Sequence, residues 1–181
     1  MKKFAGLLIV LAMTSLSFAG FINGTFQCTF PDDPTQAIHN WNFDCSCYHL
    51  TLGENLYSLD ADQVIMSGET DEDPVFTVTK TVTNSSTITW TSYELTLSPT
   101  GPLFTGTPSS DVFSSAIISN GGLKITYSGG ALTPGNTVNL NFSILVSSTG
   151  MFSVCLTQNP IPEPATIAML SLGALAFFRR K

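Results

Sequence analysis

The residues best suited to chemistry crowd into the first half of the chain. Cys28, Cys45, Cys47 and Cys155 are its four cysteines, and His39 and His49 its two histidines. Cys45-x-Cys47-x-His49 sets three soft ligands in a row. A tetrahedral metal site built on that run would need a fourth ligand from elsewhere, such as Cys28 or His39. Disulfide formation is the rival chemistry. Both chain ends carry export features, and an exported protein meets an oxidising compartment where disulfides are the default. Four cysteines allow three pairings. A Cys45–Cys47 bridge would close a strained, tiny ring, which leaves two. Cys155 lies on the last expected strand, so one bridge is expected to tie the front of the domain to its end. Disulfides are therefore expected in preference to a metal site, and no metal or cofactor is expected.

Asp60, Asp62, Glu69, Asp71, Glu72 and Asp73 form an acidic stretch of oxygen ligands that would suit calcium. It lacks EF-hand spacing, and the reading taken is a solvated acidic loop. Trp41, Trp90, Tyr48, Tyr57, Tyr93 and Tyr127 could stack on sugar rings, although such residues more often fill cores. No Gly-x-Ser-x-Gly, His-Glu-x-x-His, phosphate loop or dinucleotide fingerprint is present. Paired carboxylates could hydrolyse a glycoside, but no spacing singles out a pair. No catalytic residue is expected.

Strands are the elements that must position these groups. Val75 to Thr83 alternates, with Phe76, Val78 and Val82 on one face and threonines on the other. Thr87 to Leu97 starts with Ile88 and Trp90 on one face and ends with Tyr93, Leu95 and Leu97 in the opposite phase, so a β-bulge is expected at Thr91-Ser92. Thr137 to Val146 points Val138, Leu140, Phe142, Ile144 and Val146 one way. Leu123, Ile125 and Tyr127 make another inward row, and Phe152, Val154 and Leu156 the last. Turns are expected at Asn84-Ser85-Ser86, Asn120-Gly121-Gly122, Gly129-Gly130, Pro134-Gly135-Asn136 and Ser148-Thr149-Gly150. No stretch between the ends has a helical face. Many short strands on about 140 residues predict an all-β, immunoglobulin-like β-sandwich. Its front, residues 20–73, is irregular, and its regular strands span residues 74–158.

The ends flank that domain, which occupies residues 20–159 of a chain of 181. Lys2 and Lys3, the apolar run from Phe4 to Met13, and small residues at Ser17 and Ala19 read as a signal peptide, residues 1–19. Cleavage is expected between Ala19 and Gly20. At the other end, Pro160 and Pro162 are expected to break the preceding strand. Residues 165–178 carry no charge and are read as a single transmembrane helix. At 1.5 Å per residue it would span about 21 Å, short for a bilayer core of about 30 Å. Arg179, Arg180 and Lys181 form a basic stop that should stay cytoplasmic.

Pro162-Glu163-Pro164, the short apolar run and the terminal basic cluster, in that order at the C-terminus, resemble a PEP-CTERM sorting signal covering residues 160–181. The resemblance implies an exosortase, a membrane-embedded cysteine peptidase, as partner, with cutting near the motif. It also implies an association with exopolysaccharide and biofilm production in Gram-negative bacteria. It implies nothing about the domain upstream.

Charge narrows the remaining partners. Five of the seven bases lie in the ends, so residues 20–159 hold two bases, Lys80 and Lys124, against twelve acids, a formal −10. Such a domain repels phosphate backbones, and nucleic-acid binding is excluded on that ground. The expected protein is exported, passes through the membrane and envelope, and reaches the cell surface or exterior after processing. It is expected to be a non-enzymatic surface or matrix protein. The alternatives are a carbohydrate-binding module acting on exopolysaccharide and a secreted hydrolase.

Overall fold

The computed structural model describes residues 20–22, 24–31, 37–71, 74–98, 101–146 and 149–164. The expected signal peptide, the apolar run 165–178, the basic stop, and Glu72 and Asp73 of the acidic stretch lie outside the described residues.

Eleven strands occupy the described residues: β1 Gln27–Thr29, β2 Ala37–Asp44, β3 His49–Leu56, β4 Asp62–Thr70, β5 Val75–Asn84, β6 Trp90–Ser98, β7 Leu103–Ser110, β8 Ser115–Ser119, β9 Lys124–Leu132, β10 Thr137–Leu145 and β11 Gly150–Pro162. They form two sheets, ordered β1-β4-β11-β6-β9-β8 and β2-β3-β5-β10-β7. All neighbours run antiparallel except β3 and β5, which are parallel. The irregular front contributes two strands to each sheet. The buried side chains of both sheets make one hydrophobic core.

Period-two alternation builds this core. Val138, Leu140, Phe142, Ile144 and Val146 are buried, while Asn139 and Asn141 are exposed. The row fills because successive strand side chains point to opposite faces. The expected bulge at Thr91 is present. Against β11, Ile161 faces Ser92 and Pro162 faces Trp90, so Thr91 is the extra residue, and Trp90 and Tyr93 are both buried. The turn at Asn84 is fixed by its own side chain. Asn84 Oδ1 accepts from Ser86 N at 3.1 Å and from Ser86 Oγ at 2.6 Å, and its amide donates to the Ile88 and Leu132 carbonyls, each at 2.8 Å.

Two expectations about strands need correction. Gly129-Gly130 is no turn but lies inside β9. A Cβ on Gly130 would stand 2.3 Å from the Val112 carbonyl oxygen. The glycine pair therefore allows the segment before β8 to press against β9. The prolines of the C-terminal end do not break the preceding strand either. β11 runs through Pro160 to Pro162, pairing Pro160 with Tyr93 and Pro162 with Trp90. Beyond Gln158 the strand pairs with β6 alone, leaving one edge open, and an edge tolerates a residue without an N–H. β7 and β8 carry no alternation strong enough to be read from sequence.

Candidate functional site

Four strands each place one polar side chain at a position their apolar neighbours mark as inward. Glu54 follows Leu50 and Leu52 on β3, and Lys80 follows Phe76 and Val78 on β5. Asp62 precedes Val64 and Met66 on β4, and Gln158 follows Val154 and Leu156 on β11. All four are buried with those neighbours. A buried charge is unfavourable unless paired, and here the register supplies the partners. His39 on β2 stands directly opposite Glu54, and Asp62 directly opposite Gln158. These two cross-strand pairs, one from each sheet, meet across the interior.

The contacts form a connected cluster. Lys80 Nζ donates to Glu54 Oε1 in an ion pair. The His39 ring turns Nδ1 toward Glu54 Oε1 at 3.7 Å and Nε2 toward Asp62 Oδ2 at 3.6 Å. Gln158 Nε2 donates to Asp62 Oδ2 at 2.7 Å, the Asp62 carboxylate also accepts the Gln63 N–H at 2.9 Å, and Tyr93 Oη donates to Gln158 Oε1. Phe30 stacks on the His39 ring with centroids 4.0 Å apart. His39 Nδ1 and Glu54 Oε2 are buried without a hydrogen-bond partner. Burial is the largest single influence and works to raise the Glu54 carboxyl, but the Lys80 ammonium together with the polar groups of His39 and Gln158 outweighs it and holds the group at about 2. Burial also pushes the Tyr93 hydroxyl well above its ordinary range and the Cys28 thiol up to about 12, leaving Cys28 protonated and unreactive.

Of the residues singled out in the sequence, this cluster takes up only His39, Asp62 and Tyr93. Asp62 is therefore no part of a solvated loop. Asp60, Glu69 and Asp71 are exposed. Cys45, Cys47 and His49 are not gathered into a ligand set among the described residues. His49 Nδ1 lies 2.8 Å from Thr77 Oγ1 instead. All four cysteines stand as free thiols in this structure. Register explains part of this. Cys28 pairs with Met66, which faces Val154, and all three are buried. Cys155, one residue on, points to the other face of that sheet, with Sγ 3.5 Å from Gln63 Oε1. Trp90, Tyr93 and Tyr127 are core residues, whereas Trp41 and Tyr57 are exposed. Sequence reasoning missed Glu54, Lys80 and Gln158. The available signal was a polar residue at the inward phase of an otherwise apolar row.

The second candidate site is the end of β11. Glu163 N donates to the Thr89 carbonyl at 3.3 Å, so Pro162-Glu163 is still held by the end of the sheet. Residues 160–181 match the PEP-CTERM protein-sorting motif. Its Pro162-Glu163-Pro164 signature thus begins on the last strand of the domain, with no linker between fold and PEP-CTERM tail. The PEP-CTERM match marks the chain for exosortase-type sorting out of the cytoplasm. Among the described residues no helix is long and apolar enough to cross a membrane, and the expected helix 165–178 lies outside them. No curated protein matches the chain.

Proposed function

We propose that the chain is a non-catalytic envelope or matrix protein. On this reading it is exported by a signal peptide cleaved between Ala19 and Gly20, then released from its tail by an exosortase near Pro162-Glu163-Pro164. Residues 165–178 are its transient transmembrane helix, with Arg179, Arg180 and Lys181 as cytoplasmic stop. The cargo is an immunoglobulin-like β-sandwich, a reading supported by two facing sheets of mostly antiparallel strands. The biofilm or exopolysaccharide matrix is its destination. The observation that carries the proposal is the sorting motif at residues 160–181.

The fold suits this processing. After Gln158 the last strand is paired on one side only, so residues 159–162 can peel from β6 without disturbing the β4 ladder. That gives a peptidase an extended segment while the core stays closed. Replacing Pro162, Glu163 and Pro164 by alanine should block C-terminal trimming and leave export intact, read by mass spectrometry of the envelope fraction. Unchanged trimming would overturn the sorting role of the motif.

One observation favours a second reading, a carbohydrate-binding module. The outward face of the five-stranded sheet carries an uncharged row, Asn42, Thr51, Thr79, Asn141 and Ser109, in direct cross-strand register. Trp41, 40% exposed on the same edge strand, takes the opposite phase, with its cross-strand partner Leu52 buried and its ring 6.4 Å from Phe26, so the row itself carries this reading. Neutral hydroxyl and amide groups in register suit a neutral glycan. Glycan-array binding lost in Asn42→Ala/Asn141→Ala would support this reading, and an array without a hit would remove it.

A further inference from the structure

We propose that His39, Glu54 and Asp62 form a binding site between the two sheets for one first-row divalent metal ion of the zinc type. One ligand-capable atom from each of the three lies within 4.8 Å of the others. At bond lengths near 2.1 Å, tetrahedral ligand atoms stand about 3.4 Å apart. The 3.6 Å between His39 Nε2 and Asp62 Oδ2 is already close to that spacing.

Two independent features ask for a cation there. The first is unmade bonds. His39 Nδ1 and Glu54 Oε2 have no hydrogen-bond partner, on side chains only 8% and 1% exposed. Glu54 divides its oxygens, giving Oε1 to Lys80 and leaving Oε2 free. Buried polar atoms are normally satisfied, so an unpartnered carboxylate oxygen and ring nitrogen within one buried cluster mark a missing ligand. The second is composition. Two buried carboxylates and one imidazole, side chains of the types that ligate first-row metals, converge from β2, β3 and β4 with one ligand atom each within 4.8 Å of the others.

The surroundings resemble the outer shell of a metal centre. Gln158 and the Gln63 N–H fix the Asp62 carboxylate, and Tyr93 fixes Gln158. The His39 ring faces a carboxylate on each side. With Nε2 as the ligand beside Asp62, Nδ1 stays turned toward Glu54 Oε1, as in other metal-bound imidazoles, and Glu54 Oε2 remains as the ligand atom of that carboxylate. Phe30 covers the ring. One imidazole and two carboxylates suit zinc and its neighbours. Calcium and magnesium demand six or more ligands, mostly oxygen.

The test uses the full chain in detergent, stripped with EDTA and titrated with Co2+ and with Zn2+. One equivalent of each should bind. The Co2+ complex should show visible d–d bands without a thiolate charge-transfer band, and Zn2+ should raise the melting temperature. His39→Gln and Asp62→Asn should abolish stoichiometric binding, and Gln158→Leu should weaken it about 10–100-fold. The double variant Cys45→Ser/Cys47→Ser should bind like the parent. Absence of stoichiometric binding, a thiolate band, or loss of binding in the cysteine variant would each overturn the site. The Co2+ spectrum is read on the unaltered chain, so the answer survives any variant that fails to fold.

Discussion

Lys80 and Glu54, 26 residues apart in sequence, form an ion pair whose side chains are 0% and 1% exposed. They lie on the adjacent parallel strands β5 and β3, each at the inward phase of an apolar row. Removing one member of such a pair strands the other charge in low dielectric, at about 3–5 kcal/mol. Replacing both with apolar groups avoids that penalty. In chelator, Lys80→Met should therefore destabilise the domain by about that amount. The double variant Lys80→Met/Glu54→Leu should recover part of the loss, as measured by urea denaturation. A double variant less stable than Lys80→Met would show that the pair does not act as a unit.

The same pair sets an acid limit. The carboxyl of Glu54 is held at about 2 in the folded chain, against an ordinary value of 4.5. A depressed carboxylate adds stability that is complete above its unfolded value and is lost as pH falls through its folded value. Stability of the metal-free protein should thus decline between about pH 4.5 and 2. Glu54→Gln should remove that part of the decline while lowering stability at neutral pH. An identical acid profile in parent and variant would contradict the assignment.

At the other end of the domain, the Gly20 N–H donates to Asp71 Oδ1, and Asp71 N returns a bond to the Gly20 carbonyl at 3.0 Å. Gly20 has φ +141, and a Cβ there would lie 2.0 Å from Tyr48 Oη, so only glycine fits. Cleavage between Ala19 and Gly20 would convert this N–H into an ammonium facing a carboxylate. Asp71→Asn should then cost a chain beginning at Gly20 roughly 0.5–1 kcal/mol. A chain keeping residues before Gly20 should lose less. Equal losses would show that the ammonium plays no part.

The strand register can be checked on β10. Phe142 packs edge-on against Phe104 at 5.6 Å, whereas Asn141 is exposed and accepts from Thr79 Oγ1 at 3.0 Å. Phe142→Ala should cost about 3–5 kcal/mol through the cavity it leaves. Asn141→Ala should cost under about 1 kcal/mol. A larger loss at Asn141 would place the wrong face inward.

What could be read from the sequence was whatever a single strand encodes. The apolar row from Val138 to Val146 stands out because every inward position is hydrophobic, and the phase change around Thr91 marks its own bulge. The ionic cluster was hidden because its logic is tertiary. Lys80 and Glu54 look like interruptions of two apolar rows until β3 and β5 are laid side by side. Asp62 sits among other acids, and only its pairing with Gln158, 96 residues away, shows that it turns inward. Gly129-Gly130 reads as a turn because nothing local reveals Val112 pressing against it. The sorting tail was legible because its proline pair, apolar run and basic end are recognised in linear order.

The most direct test is the intact mass of the protein recovered from the envelope and medium of the cells that make it. The mass should correspond to a chain that starts at Gly20 and ends near Pro162-Glu163-Pro164, lacking residues 165–181. A mass that keeps the apolar run and Arg179-Arg180-Lys181 in every fraction would contradict exosortase release and leave a plainly anchored protein.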